Sequence, residues 1–94
     1  MSKETYKKRI EDYRKKMVSL RANVDKLKEE KKKRIEVITR QIKNTTSKNS
    51  KETYRKNKIS TSAKYDRDIE SVKKKIEALK KDIDKIRKLL ANVK

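Results

Sequence analysis

Apolar residues recur at alternating spacings of four and three along two long stretches, and this pattern constrains the fold more than any other property of the chain. The first stripe is Tyr6, Ile10, Tyr13, Met17, Leu20, Val24 and Leu27. The second is Tyr65, Ile69, Val72, Ile76, Leu79, Ile83, Ile86, Leu90 and Val93. Such spacing puts every member on one face of an α-helix and matches the seam of a left-handed coiled coil. A seam of this kind is stable only when another helix covers it. The pattern predicts an all-α protein that binds helices, its own or a partner's.

Composition narrows the alternatives. Apolar residues make up 31% of the 94 positions and charged ones 49%, too little apolar surface for a core several layers thick. Gly and Pro are both absent, so little interrupts a helix once it starts, and tight hairpins lose the residue that supplies their positive φ. Low hydropathy with high charge is also the signature of disorder. The sustained seam argues against disorder over most of the chain.

The stripes and the polar segments between them set the expected elements. Helix one is predicted over about 3–43, a polar turn over 44–50 and helix two over 51–93, all within one domain. The turn is placed on Asn44-Thr45-Thr46-Ser47-Lys48-Asn49-Ser50, whose side chains bond to nearby backbone and compete with helix. Asn49 with Glu52 three residues later has the form of a capping box. Residues 57–62 read as a weak stretch, because Ser60, Thr61 and Ser62 are poor helix formers. Acid-to-base pairs at i,i+4, such as Glu11 with Lys15 and Glu70 with Lys74, support both helices by a few tenths of a kcal/mol each. After Leu27 the inward residues become Lys31, Ile35, Ile38 and Ile42, a stutter that locally unwinds a supercoil. Ser2–Lys8 nearly repeats at Ser50–Lys56, which suggests a duplicated helix-starting unit or chance in a Lys-rich chain.

Folding back at the polar turn brings the stripes into register without adjustment. Tyr6 meets Leu90, Ile10 meets Ile86, Tyr13 meets Ile83, Met17 meets Leu79, Leu20 meets Ile76, Val24 meets Val72 and Leu27 meets Ile69. The expectation is therefore two long antiparallel helices, a helical hairpin of coiled-coil type. Val18, Ala22, Ile35, Val37, Ala78, Leu89 and Ala91 lie beside the seam and widen it toward a bundle face. Self-association or a partner's helices are expected to complete the fold.

Function classes follow from what the chain holds. It has no His and no Cys, which removes imidazole catalysis, thiol chemistry and the usual zinc sites. The carboxylates pair with Lys on solvated faces, and no Gly-rich phosphate loop exists. No enzymatic role, metal or cofactor is expected. No apolar stretch approaches the roughly 20 residues needed to cross a bilayer, and the N-terminus lacks the apolar core of a signal peptide. The expected location is the cytoplasm, with export open only to a machine that needs no signal peptide.

Net charge is +18, densest through residues 37–64, where Glu52 is the only acid. Attraction to polyanions or to an acidic protein partner follows. Lys31, Lys32, Lys33 and Arg34, with Lys73, Lys74 and Lys75, are the candidate phosphate contacts if the partner is nucleic acid. Base-reading side chains are thin, since three tyrosines sit on the seam and Asn44, Asn49 and Asn57 fall near the turn. The stripe residues from Tyr6 to Leu27 and from Tyr65 to Leu90 are the candidate partner-binding seam. A purely structural homo-oligomer is a third reading.

The opening pattern Tyr6-x-x-x-Ile10-x-x-Tyr13-x-x-x-Met17-x-x-Leu20-x-x-x-Val24-x-x-Leu27, followed by a polar middle and the heptads from Ile69 to Leu90, resembles the small helical partners of LXG toxins. Those proteins are encoded beside toxins of the Gram-positive type VII secretion system and are similar to Esx-type helical hairpins. The resemblance implies a non-enzymatic targeting factor that sheathes the helical leading domain of a toxin. The Trp-x-Gly turn of the Esx type is missing, and Tyr6, Tyr13, Tyr54 and Tyr65 are followed four positions on by Ile10, Met17, Lys58 and Ile69, not by an acid. The resemblance then implies that another subunit supplies the export signal.

Overall fold

The computed structural model describes residues 2–93 and consists of two long antiparallel helices, with no strand among the described residues. Helix α1 is Lys3–Asn44 and helix α2 is Lys48–Ala91. Ser2 starts α1: its hydroxyl accepts from the Thr5 amide at 3.3 Å and its carbonyl from the Tyr6 amide at 3.3 Å. This satisfies amides that an uncapped helix start leaves free. Glu4 in the first turn and Lys43 in the last complement the helix dipole.

The connection is shorter than the polar segment suggested. Residues 45–47 alone are non-helical, rather than 44–50, and α2 begins at Lys48 rather than near residue 51. The cap is Ser47, not Asn49. Its hydroxyl accepts from the Ser50 amide at 3.3 Å and its carbonyl from the Lys51 amide at 3.0 Å. Asn49 lies inside the first turn, where its carbonyl accepts from the Thr53 hydroxyl at 3.1 Å. The near-repeat is not a repeat of structure either, since Ser2 caps a helix and Ser50 sits inside one. No positive φ is needed anywhere among the described residues, so the turn is made without glycine.

The stretch 57–62, read as weak, is continuous helix. Thr61 turns its hydroxyl to the Asn57 side chain at 3.3 Å, and both Thr61 and Ser62 are half-buried. Packing on the inward face outweighs their low propensity. At the other end α2 stops at Ala91, and the Asn92 and Val93 amides reach back three residues to Leu89 and Leu90, both at 3.2 Å. The final turn tightens as helix ends commonly do.

The helices pack as two compact units. One takes in the chain up to Asn23 and from Ser71 onward, and the other is Val24–Glu70. In the first, Ile10 and Met17 of α1 are buried with Val72, Ile76, Ile83 and Ile86 of α2, while Tyr6, Tyr13, Leu20, Leu79 and Leu90 are half-buried at the edges. In the second, Val24, Ile38 and Ile69 are buried, and Leu27, Ile35, Ile42, Tyr54 and Tyr65 are half-buried. Each core is one side chain deep. The tightest residue, Ile38, keeps 3% exposure, and none falls below 2% among the described residues.

Candidate interaction surface

The seam predicted to bind a partner is largely spent on the hairpin's own helices. Eight of its members, Ile10, Met17, Val24, Ile69, Val72, Ile76, Ile83 and Ile86, are buried, and Tyr6, Tyr13, Leu20, Leu27, Tyr65, Leu79 and Leu90 are half-buried. These residues form the cores of the two units. What remains for a partner is the flanks.

Several apolar side chains stand out into solvent there. Val18 is 65% exposed, Leu89 50%, Val37 43% and Ile59 71%. The first three were legible as residues widening the seam. Ile59 was not, because it lies in the stretch taken as weak helix. Of the remaining widening residues, Ile35 is half-buried, and Ala22, Ala78 and Ala91 are exposed.

In the first unit an open groove of about 370 Å³ runs beside the seam. Met17, Val18 and Ile83 make its apolar floor. Arg14 and Arg21 rim it from α1, and Lys80 and Arg87 from α2. Asp84 approaches the Arg87 guanidinium at 3.9 Å from the outer side. In the second unit an open, mostly apolar depression of about 560 Å³ lies between Ile35 of α1 and Ile59 and Ala63 of α2, with Lys31, Lys58 and Asp66 around it.

The candidate phosphate contacts divide. Lys31 is half-buried and its ammonium lies 2.6 Å from an Asp66 carboxylate oxygen, so it is already paired. Lys32, Lys33, Arg34, Lys73, Lys74 and Lys75 are exposed on their helices. Among the i,i+4 pairs read from sequence, Glu11 with Lys15 closes, at 3.4 Å, among the described residues. Long side chains on an exposed helix gain little from holding one geometry. The Lys16 ammonium instead stands 5.7 Å from the centre of the Tyr13 ring, a cation–π contact at the seam's edge.

Among the described residues no three His, Cys, Asp or Glu side chains gather as a metal would need, and no helix is long and apolar enough to cross a membrane. No protein-family model, curated protein or solved structure matches the chain.

Proposed function

We propose that this protein is a non-enzymatic interaction module that binds helices of another protein. The observation that supports this most is the coexistence of spent seam and bare flank. The two helices use their stripes on each other, yet among the described residues no side chain is fully buried, and large apolar residues such as Val18 and Leu89 remain in water beside the seam. A further helix laid along either flank would cover the apolar side chain that stands there, and burial at about 25 cal/mol per Å² of apolar surface would drive it. The pattern resemblance to LXG-toxin partners extends the reading to a targeting factor for a type VII secreted toxin.

A second reading draws on the charge. With +18 on 94 residues and six exposed Lys or Arg among the candidate phosphate contacts, the chain would bind duplex DNA without sequence preference at low salt. Co-expression with the products of the neighbouring genes, and purification through a salt wash that strips nucleic acid, separates the two. A complex that survives the wash supports the helix-binding module. Recovery of nucleic acid alone overturns it.

A further inference from the structure

The groove of the first unit lies along a row of side chains next to the seam whose charge is of one sign. Lys7, Arg14 and Arg21 each follow a seam residue (Tyr6, Tyr13, Leu20) by one position, and Lys73, Lys80 and Arg87 follow Val72, Leu79 and Ile86 in the same way. Residues seven apart on a helix share one side of its seam. In an antiparallel pair the corresponding positions of both helices fall on the same side, as the joint lining of the groove by Arg14, Arg21, Lys80 and Arg87 shows. All six positions are cationic. The other flank, made of the residues preceding seam members, holds Arg9, Lys16 and Asn23 with Lys75, Asp82 and Leu89. It mixes both signs with neutral side chains.

The outer neighbours of the cationic row are mostly acidic, with Glu77 and Asp84 in these places on α2. On α1 the positions just beyond it are Glu11, Val18 and Asp25, so the middle one is a valine between two acids. At that place Arg14 and Arg21 flank a valine that is 65% exposed and lies on the groove floor.

Resting on the helix-binding reading, we propose that this basic-rimmed groove is the docking site for an amphipathic helix of another protein, one whose apolar stripe is bordered by Asp and Glu. The charge decides among occupants. A second copy of this chain would bring its own cationic row against this one. A phosphate backbone would meet the rims but leave Met17, Val18 and Ile83 covered by nothing apolar. An acidic amphipathic helix satisfies both parts of the surface. The floor supplies burial, and the exposed rim supplies partner choice, orientation and a faster encounter.

The test uses the full chain and a four-heptad labelled peptide with Leu and Ile on its seam and Glu on both flanks, whose like charges keep it monomeric at neutral pH. A scrambled peptide of the same composition is the control for bulk attraction. The wild-type chain is expected to prefer the periodic peptide, and Arg14→Glu/Arg21→Glu to weaken it by about tenfold or more. Val18→Glu, at an exposed site that leaves the fold intact by circular dichroism, is expected to weaken it as well. Arg9→Glu/Lys75→Glu makes the same change of net charge on the other flank and is expected to leave binding within about twofold. Equal losses in both double variants overturn the site. Loss only in Arg9→Glu/Lys75→Glu moves docking to the other flank, which overturns this site while the helix-binding function stands. No preference of the wild-type chain for the periodic peptide over the scrambled one contradicts both.

Discussion

The Lys31 ammonium lies 2.6 Å from a carboxylate oxygen of Asp66, joining α1 to α2 across 35 residues of chain. It does so where the inward stripe steps by four twice, from Leu27 to Lys31 to Ile35 on α1 and from Thr61 to Tyr65 to Ile69 on α2. A repeated step of four unwinds a supercoil locally. The two side chains are 30% and 60% exposed, so solvent screens the pair and its worth is about 1 kcal/mol or less. A single polar residue in a seam commonly serves register at a cost in stability. Lys31→Leu is expected to raise the melting temperature, and Asp66→Ala to lower stability by up to about 1 kcal/mol by stranding the ammonium. Thermal melts by circular dichroism check both. A Lys31→Leu chain less stable than Asp66→Ala would contradict this account.

Burial separates the core from the flank energetically. Ile83 keeps 5% exposure and Val18 65%, so truncating each to alanine removes similar groups from very different surroundings. Ile83→Ala is expected to cost about 2–4 kcal/mol in urea unfolding. Val18→Ala should stay within about 0.5 kcal/mol. Comparable losses at the two sites would mean that the seam is not where the structure places it.

The turn offers a test of which residue caps α2. Ser47→Ala removes the acceptor of the Ser50 amide and is expected to cost about 1 kcal/mol, whereas Asn49→Ala should cost much less. The first turn of α2 carries no acid and begins at Lys48, which opposes the helix dipole. Lys48→Glu is accordingly expected to gain about 0.3–1 kcal/mol at low salt. A larger loss from Asn49→Ala than from Ser47→Ala would restore the capping box as the start of the helix.

Register can be read by cross-linking, since the chain has no cysteine of its own. Ile10 of α1 and Ile86 of α2 are both buried in the first unit and are partners in the register read from the stripes. Ile10→Cys/Ile86→Cys is expected to oxidise to an intramolecular disulfide that runs as a monomer on a denaturing gel. Ile10→Cys/Leu79→Cys, displaced by one heptad, should oxidise far more slowly, because a disulfide requires Cα atoms within about 7 Å. Faster closure of the displaced pair would show a slipped hairpin.

Much of the fold was legible because the stripes carry their own register. The burial of Ile10, Ile76, Ile83 and Ile86 accords with the spacing of the stripes. Local propensity misled in two places. Ser60, Thr61 and Ser62 weaken an isolated helix, yet Thr61 and Ser62 face inward and are held by packing. Asn49 and Glu52 have capping chemistry, but Ser47 lies two residues earlier and takes the role. The interaction surface was less legible. Attention to apolar spacing marks the residues that close the hairpin, whereas the basic groove is written in residues seven apart that periodicity of hydropathy does not weigh. Arg14, Arg21, Lys80 and Arg87 form one row only in the folded hairpin, where both helices line the same groove.

The central claim, that the chain works by binding another protein's helices, is tested most directly by affinity capture from the source cells after nuclease treatment, with Leu79→Asp run beside the wild-type chain. Leu79 is half-buried at the seam, and an aspartate there places a charge against Ile76 and Ile83. The account predicts a helical protein retained stoichiometrically by the wild-type chain after nuclease and lost from Leu79→Asp. Loss of every partner on nuclease treatment, with wild type and variant alike, would contradict it.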